Sequence, residues 1–291
     1  MIIAKIHGGI GNQMFQYAAA RRLAHYNNTE LKLDIFHYDI KVLPAGLPYR
    51  TFDLSVFNIQ PVYATKKEID LFKNTANALV AKLLNKIKNK ITPHTMIYEP
   101  HYHFYPDLLT KKGNYYLDGY WQSEKYFSDI KDILQKEFII TTTLNDEGKA
   151  LLERIKNENS VCLNIRRQDD GNRYSSDYFE KYITDAMDLV ASKVSNAHFF
   201  VVSDDLNWVR ENVKFRYPHT IIEKHLYGDK FRDCLYMLIN CKHFIIPNSS
   251  FGWWAAWLNT NPDKIVVAPD KWVLDPKVST KDLIPASWVR L

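Results

Sequence analysis

From Asn159 onward the chain alternates short β-favouring runs with helical stretches, and nothing else in the sequence restricts the fold as tightly. Val161 to Ile165 precedes a helical stretch near Ser176 to Lys193, and His198 to Ser203 precedes one near Leu206 to Val213. His219 to Ile222 precedes one near Lys230 to Asn240, His243 to Ile246 precedes one near Phe251 to Leu258, and Lys264 to Ala268 closes the series. Repeated βα units predict an α/β fold with a parallel, doubly wound sheet. Ligands of such sheets collect outside the carboxyl ends of the strands. Three of these strand ends are polar: Arg166 and Arg167, then Ser203-Asp204-Asp205, then Asn248-Ser249-Ser250. One polar strand end is ordinarily a cap, whereas three on one sheet edge predict a site.

The stretch Val161 to Asp170 reads VCLNIRRQDD and sets two adjacent guanidinium groups where a phosphate would bind. Asp169 is placed to brace one of them; alternatively Arg167 pairs with Asp169 or Asp170 as a structural ion pair without a ligand. Asn248-Ser249-Ser250, just before a helix, offers hydroxyl and backbone N–H groups to phosphate oxygens, caps the helix, or does both. Asp204 and Asp205 suit ribose hydroxyls or base N–H groups. Capping of the next helix and metal binding are the alternatives, and two adjacent carboxylates with no third ligand nearby make a poor metal site.

In the N-terminal half, Met1 to Ile6 reads as a strand running into His7-Gly8-Gly9-Ile10-Gly11-Asn12-Gln13 and then a helix. Three glycines within four positions permit a sharp turn. The spacing matches neither the dinucleotide fingerprint nor the triphosphate loop. Asn12 and Gln13 bring two amides to the helix start, suited to hydroxyls or an anion, or to capping by Asn12. Leu31 to Ile35 reads as a second strand, Leu43 to Pro48 as a loop, and Thr65 to Lys90 as mostly helical, with Lys82, Lys86, Lys88 and Lys90 among its apolar positions. A basic amphipathic helix is either an ordinary solvated helix or one that rests on an anionic membrane. Aromatics cluster from Tyr98 to Tyr126, as sugar-stacking rings or as a tyrosine-rich core.

With 291 residues, two domains or one large α/β domain are expected. A net charge of +5 suits anionic ligands but is too mild and dispersed for nucleic acid. Cys162, Cys234 and Cys241 lie among apolar neighbours without paired spacing, which predicts buried free thiols in a reducing compartment. Cys234 and Cys241, seven apart, are expected on one face of a helix. No run approaches a transmembrane length and no signal peptide is evident, so a cytoplasmic protein is expected.

GGIGNQMFQYA at Gly8 to Ala18, GYWQSEKYF at Gly119 to Phe127, IRRxD at Ile165 to Asp169, SDD at Ser203 to Asp205, NSSFGWWAAWLN at Asn248 to Asn259 and VVAPDKW at Val266 to Trp272 together resemble the bacterial α-1,2-fucosyltransferases, a glycosyltransferase family 11-like pattern covering nearly the whole chain. The resemblance implies a GT-B-type glycosyltransferase with two Rossmann-like domains and a cleft between them. Residues 1–155 would be the acceptor-side domain and 156–291 the GDP-sugar donor domain. It further implies inverting, metal-independent transfer from GDP-β-L-fucose, with no other cofactor, to the 2-hydroxyl of a terminal galactose. Carried onto this sequence, Arg166 matches the arginine that clamps the diphosphate, supported by Arg167 and Asp169. Asn12, Gln13, Asn164, Asp204, Asp205, Asn248, Ser249 and Ser250 fall on the donor side, and His7, Tyr120, Trp121 and Gln122 on the acceptor side.

The family pattern usually reads HxRRxDY, whereas this chain has Asn164, Gln168 and Asp170 at the three departing positions. Asn164 hydrogen-bonds but does not titrate near neutral pH. The departures leave open a different GDP-sugar or linkage, and a catalytically silent glycan-binding protein is the alternative of another class. No general base stands out; Asp118, beside the aromatic stretch, is the candidate, and proton uptake by a leaving-phosphate oxygen is the alternative. The expected partners are GDP-fucose and a galactose-terminated glycan or lipid-linked oligosaccharide, with no nucleic acid and with peripheral contact at the inner membrane face.

Overall fold

A computed structural model describes residues 1–39, 50–73, 94–167, 176–228 and 231–291. The loop expected at Leu43 to Pro48, the lysines of Lys82 to Lys90, and Gln168, Asp169 and Asp170 lie outside the described residues. The chain divides into two compact units, Met1–Ile139 with Lys281–Leu283, and Ile140–Thr280 with Ile284–Leu291.

The first unit is built on β1 (Ile2–Lys5), β2 (Leu31–Asp34), β3 (His94–Tyr98) and β4 (Asn114–Asp118), in the order β2-β1-β4-β3 with every pairing parallel. Helix α1 (Ile10–Tyr26) crosses from β1 to β2, and α2 (Lys66–Lys73) and α3 (Lys131–Glu137) are shorter. The run Ala18-Ala19-Ala20 in α1 is buried and lets the helix lie close to the sheet. Its cap is Gly9, so Asn12 sits inside the first turn and does not cap. Helix α2 opens with a reciprocal capping box: the Thr65 N–H donates to Glu68 Oε2 at 2.8 Å and the Glu68 N–H donates to Thr65 Oγ1 at 3.3 Å. The tyrosine cluster is divided in role. Tyr116 is core and donates to the buried Asp34 carboxylate at 2.6 Å, while Tyr98 is 63% exposed.

The second unit holds β5 (Asn159–Ile165), β6 (Ala197–Ser203), β7 (His219–Ile221), β8 (His243–Ile245), β9 (Val266–Ala268) and β10 (Val289–Arg290) in the order β10-β9-β8-β5-β6-β7, again wholly parallel. This is the doubly wound order, with its reversal between β5 and β8. Helices α4 (Asp146–Asn157), α5 (Ser176–Lys193), α6 (Leu206–Asn212), α7 (Phe231–Ile239) and α8 (Ser250–Leu258) complete it.

Period-two alternation sorts β5 between two faces. Val161, Leu163 and Ile165 pack in one core cluster with Phe179, Ile183 and Met187 of α5 and Val209 of α6. Asn164 points the other way, toward α8, where a Cβ on Gly252 would lie 2.9 Å from its Nδ2. Helix α8 is apolar nearly all round, and Gly252 to Leu258 are all buried, as such a helix must be. Helix α7 ends at Ile239, so Cys241 lies beyond it rather than on one helical face with Cys234; both thiols, and that of Cys162, are nevertheless buried and free. The tightening turn that places Cys241 is visible in its N–H, which donates to the Leu238 carbonyl at 3.0 Å. Among the described residues no helix is long and apolar enough to cross a membrane.

Candidate active site

In the second unit the polar strand ends fall at the order reversal. Leu163 of β5 pairs with Ile245 of β8, so Arg166 and the Asn248-Ser249-Ser250 turn leave adjacent strands at the same edge. Ser249 is the N-cap residue of α8, with no side-chain capping hydrogen bond, and Ser250 begins the helix. The helix start therefore offers N–H groups and the positive end of its dipole on the edge where Arg166 emerges. Asn248 donates from Nδ2 to the Trp272 carbonyl at 3.2 Å, which ties the turn to the segment after β9.

The two arginines have different surroundings. Arg167 stacks over Trp208 at 4.2 Å and Phe179 at 5.6 Å, on the α5 and α6 side, and its N–H donates to Asp204 Oδ1 at 2.8 Å. Strand alternation, continued one residue past Ile165, would set Arg166 on the opposite side, that of Asn164 and α8. Asp205 caps α6, accepting from the Trp208 N–H at 3.0 Å, while its own N–H donates to Ser203 Oγ at 3.0 Å. Asp204 joins the ends of β5 and β6, and Asp205 takes the capping alternative; among the described residues no group of three or more metal-ligating side chains is found.

In the first unit the reversal falls between β1 and β4, and the residues after those strands gather there. Lys5 and Asp118 form a cross-strand ion pair at 2.9 Å. The His7 ring lies 4.8 Å from that of Tyr120 and 5.9 Å from that of His37. Asn12 Oδ1 accepts from Gln122 Nε2 at 2.8 Å, which locks the glycine-rich turn to the segment after β4. Gly8 has φ +78°, a conformation glycine tolerates, and a Cβ there would lie 3.0 Å from Asn12 Nδ2.

Two expected contact residues prove to be structural. Gln13 is fully buried, and its amide is wholly engaged with backbone, donating to Gly8 and Thr51 carbonyls at 3.0 and 2.8 Å and accepting from the Asp53 N–H at 2.9 Å. It holds the loop and has no surface for a ligand. Trp121 is only 1% exposed and packs edge-on against Tyr126 at 5.6 Å, so it is core and not a sugar platform. Its φ of +57° is rare for a bulky residue and costs on the order of 1–3 kcal/mol.

Several residues at this edge are not signalled by the motifs. His37 and Tyr38 follow β2, and Tyr38 donates to the Gly8 carbonyl at 3.0 Å. Glu99 and Tyr102 follow β3, with Tyr102 6.5 Å from the Tyr120 ring. Gln16 is buried and accepts the His7 N–H at 3.0 Å. Position just past a strand end was the signal available for His37 and Glu99, whereas Tyr102 lies within the aromatic cluster of Tyr98 to Tyr126.

His7 is held neutral. Burial chiefly, then the charges of Lys5 and His37, depress its pKa to about 4, against an opposing pull from Asp118. Because the unfolded imidazole takes up its proton near pH 6.5, His7 weakens the fold progressively as pH falls from there to about 4. Imidazole NMR should find one histidine unprotonated throughout pH 5–9, and Lys5→Met should raise its midpoint. An unshifted midpoint would show that Lys5 does not act on His7.

The whole chain, residues 1–291, matches the profile of glycosyl transferase family 11. It is 30% identical over 297 residues to an Escherichia coli protein named alpha-1,2-colitosyltransferase, covering 100% of this chain and 99% of that one. It is 31% identical over 323 residues to the Escherichia coli O-antigen biosynthesis glycosyltransferase WbnK, covering 98% and 99%. The structure of the fucosyltransferase NodZ from Bradyrhizobium superposes with a TM-score of 0.51 at 13% identity, covering 88% of this chain and 92% of that one, a likeness of fold. The two parallel α/β units are those of a GT-B glycosyltransferase, and the chain belongs to glycosyl transferase family 11.

Proposed function

We propose that this enzyme transfers L-fucose, or a closely related deoxy sugar, from its GDP-β-linked form to the 2-hydroxyl of a terminal galactose, with inversion and without a metal ion. The observation that carries the proposal is the adjacency, at the order reversal of the second unit, of the Arg166 strand end and the N-terminus of α8. In the transfer the galactose O2 forms a bond to the sugar C1 while the bond from C1 to the phosphate oxygen breaks, and the electron pair leaves with GDP. The extra negative charge on the diphosphate is met by the Arg166 guanidinium and by the N–H and hydroxyl groups of Ser249 and Ser250. The O2 proton passes to Asp118 or to a leaving-phosphate oxygen. Asp118 is held at the strand end by its ion pair with Lys5 at 2.9 Å. His7 and Tyr120 supply a neutral ring surface for the galactose.

The second donor to consider is GDP-colitose, since colitose is L-fucose lacking its 3-hydroxyl and a relative over the full chain carries the name colitosyltransferase. The O-antigen relative supports an acceptor in a polysaccharide or lipid-linked precursor, and the proposed place of work is the cytoplasmic face of the inner membrane.

The test is calorimetric titration with GDP and GDP-L-fucose, with and without a chelator, followed by transfer to lactose from GDP-L-fucose, GDP-colitose and GDP-mannose. Chelator-independent binding and transfer from the first or second donor are expected. Preference for GDP-mannose, or no binding of GDP, overturns the proposal.

A further inference from the structure

The segment after β4 adopts a conformation that its own residues do not favour. Gly119 is followed by Tyr120 and by Trp121 in the left-handed region at φ +57°. A half-buried acid from the neighbouring strand end holds it. Glu99 Oε2 accepts from the Tyr120 N–H at 2.7 Å and Oε1 from the Trp121 N–H at 3.0 Å, so one carboxylate grips two consecutive amides. Each is a charge-assisted bond, stronger than its neutral counterpart. The approach is close enough to dictate the preceding residue: a Cβ on Gly119 would lie 2.3 Å from Glu99 Cβ and 2.9 Å from its Oε2. Glu99 is itself fixed, because its N–H donates to the Asp118 carbonyl at 2.9 Å, continuing the pairing of β3 with β4. The turn is anchored beyond the grip by the Ser123 N–H, which donates to the Trp121 carbonyl at 2.9 Å.

What the grip fixes is the direction of two side chains. Trp121 goes into the core, and Tyr120 is directed to the edge, where its ring lies 4.8 Å from His7. We propose that Glu99 is a positioning residue for the acceptor: its carboxylate, closed on the N–H groups of Tyr120 and Trp121, holds the Tyr120 ring as one wall of the galactose subsite. The inference rests on the placement of the acceptor argued above. Glu99 touches neither the acceptor nor the donor and acts through Tyr120. A side chain that accepts at one oxygen only must leave one of the two N–H groups unmet, and the strained turn then loses its restraint.

Two measurements on the full chain separate the parts of the inference. In hydrogen–deuterium exchange, Glu99→Gln should raise exchange in a peptide spanning residues 119–122 at least tenfold, with the other strands protected as before. Unchanged exchange overturns the grip, whatever the substrate is. In kinetics with lactose and GDP-L-fucose, Glu99→Gln should raise the lactose KM about tenfold, with kcat at saturation and the GDP Kd within threefold of the parent. Tyr120→Ala should do the same, and the double variant should be no worse than Tyr120→Ala alone. Additive losses, or a changed GDP Kd, overturn the positioning role. A Tyr120→Ala variant with an unmoved lactose KM instead removes the acceptor placement and leaves the grip standing as structure. Glu99→Asp, which keeps the charge and shortens its reach, is the milder variant; it should move both readouts in the same direction, and failure to do so also overturns the inference.

Discussion

Arg166→Ala is expected to lower kcat/KM by at least two to three orders of magnitude and to weaken GDP binding, while the melting temperature stays close to that of the parent. The size follows from the chemistry: a fixed donor aimed at charge that develops in the transition state is typically worth that much. The place follows from the topology. Arg166 leaves β5 beside β8, the strand that leads into α8, at the order reversal. Arg166→Lys keeps a charge but not the planar fork, so it should recover GDP binding better than turnover. Arg167→Ala is the informative contrast, since its guanidinium stacks on Trp208 and Phe179. Its loss should appear as reduced stability before it appears in the rate. Single-turnover kinetics with calorimetric GDP titration checks all three, and an Arg166→Ala variant with parental kinetics would sink the phosphate-clamp assignment.

The contrast between the arginines also shows how far the sequence was legible. The βα alternation from Asn159 announced β5 to β9 and the three polar strand ends, because period-two strands and amphipathic helices leave a local signature. β10 left none, since two residues, Val289 and Arg290, are too few to show a period. Its pairing with β9 is fixed by contacts remote in sequence. The same limit applies at the site. Sequence order placed Arg166 and Arg167 side by side, and only the two faces of β5 assign one to the aromatics of α5 and α6. Gln13 and Trp121 occupy the stretches expected at the site yet turn inward, because adjacent residues on a tight turn point in different directions. Glu99 was hidden from the motifs for the opposite reason. A lone acid before a proline carries no motif, and its importance arises from a carboxylate meeting amides about twenty residues further along the chain.

Trp253→Ala should cost the second unit about 3–5 kcal/mol, the range for deleting a large aromatic from a core. Trp253 is fully buried, and its ring meets those of Trp254 at 5.1 Å, Trp257 at 6.1 Å and Trp288 at 5.5 Å. Trp288 belongs to the segment leading into β10, so the cluster joins a helix packed on the sheet to the end of the chain. The expected functional effect is indirect. The Trp253 backbone N–H, which alanine keeps, donates to the Ser249 carbonyl at 3.0 Å, so the lost ring contacts are those that pack the first turn of the helix whose start meets the phosphate in the proposed site. Loosening α8 should therefore weaken GDP binding even under conditions where the unit remains folded. Trp253→Phe, which retains an aromatic contact, should lose less of both quantities. Urea unfolding followed by circular dichroism, paired with GDP titration well below the transition, measures the two effects separately. A loss below about 1 kcal/mol, less than a typical buried methyl deletion sequence would accumulate, would mean that α8 is not an integral part of this core. A full loss of stability with GDP affinity intact would mean that the Ser249-Ser250 turn is held by the sheet edge alone, through Asn248 and the Trp272 carbonyl.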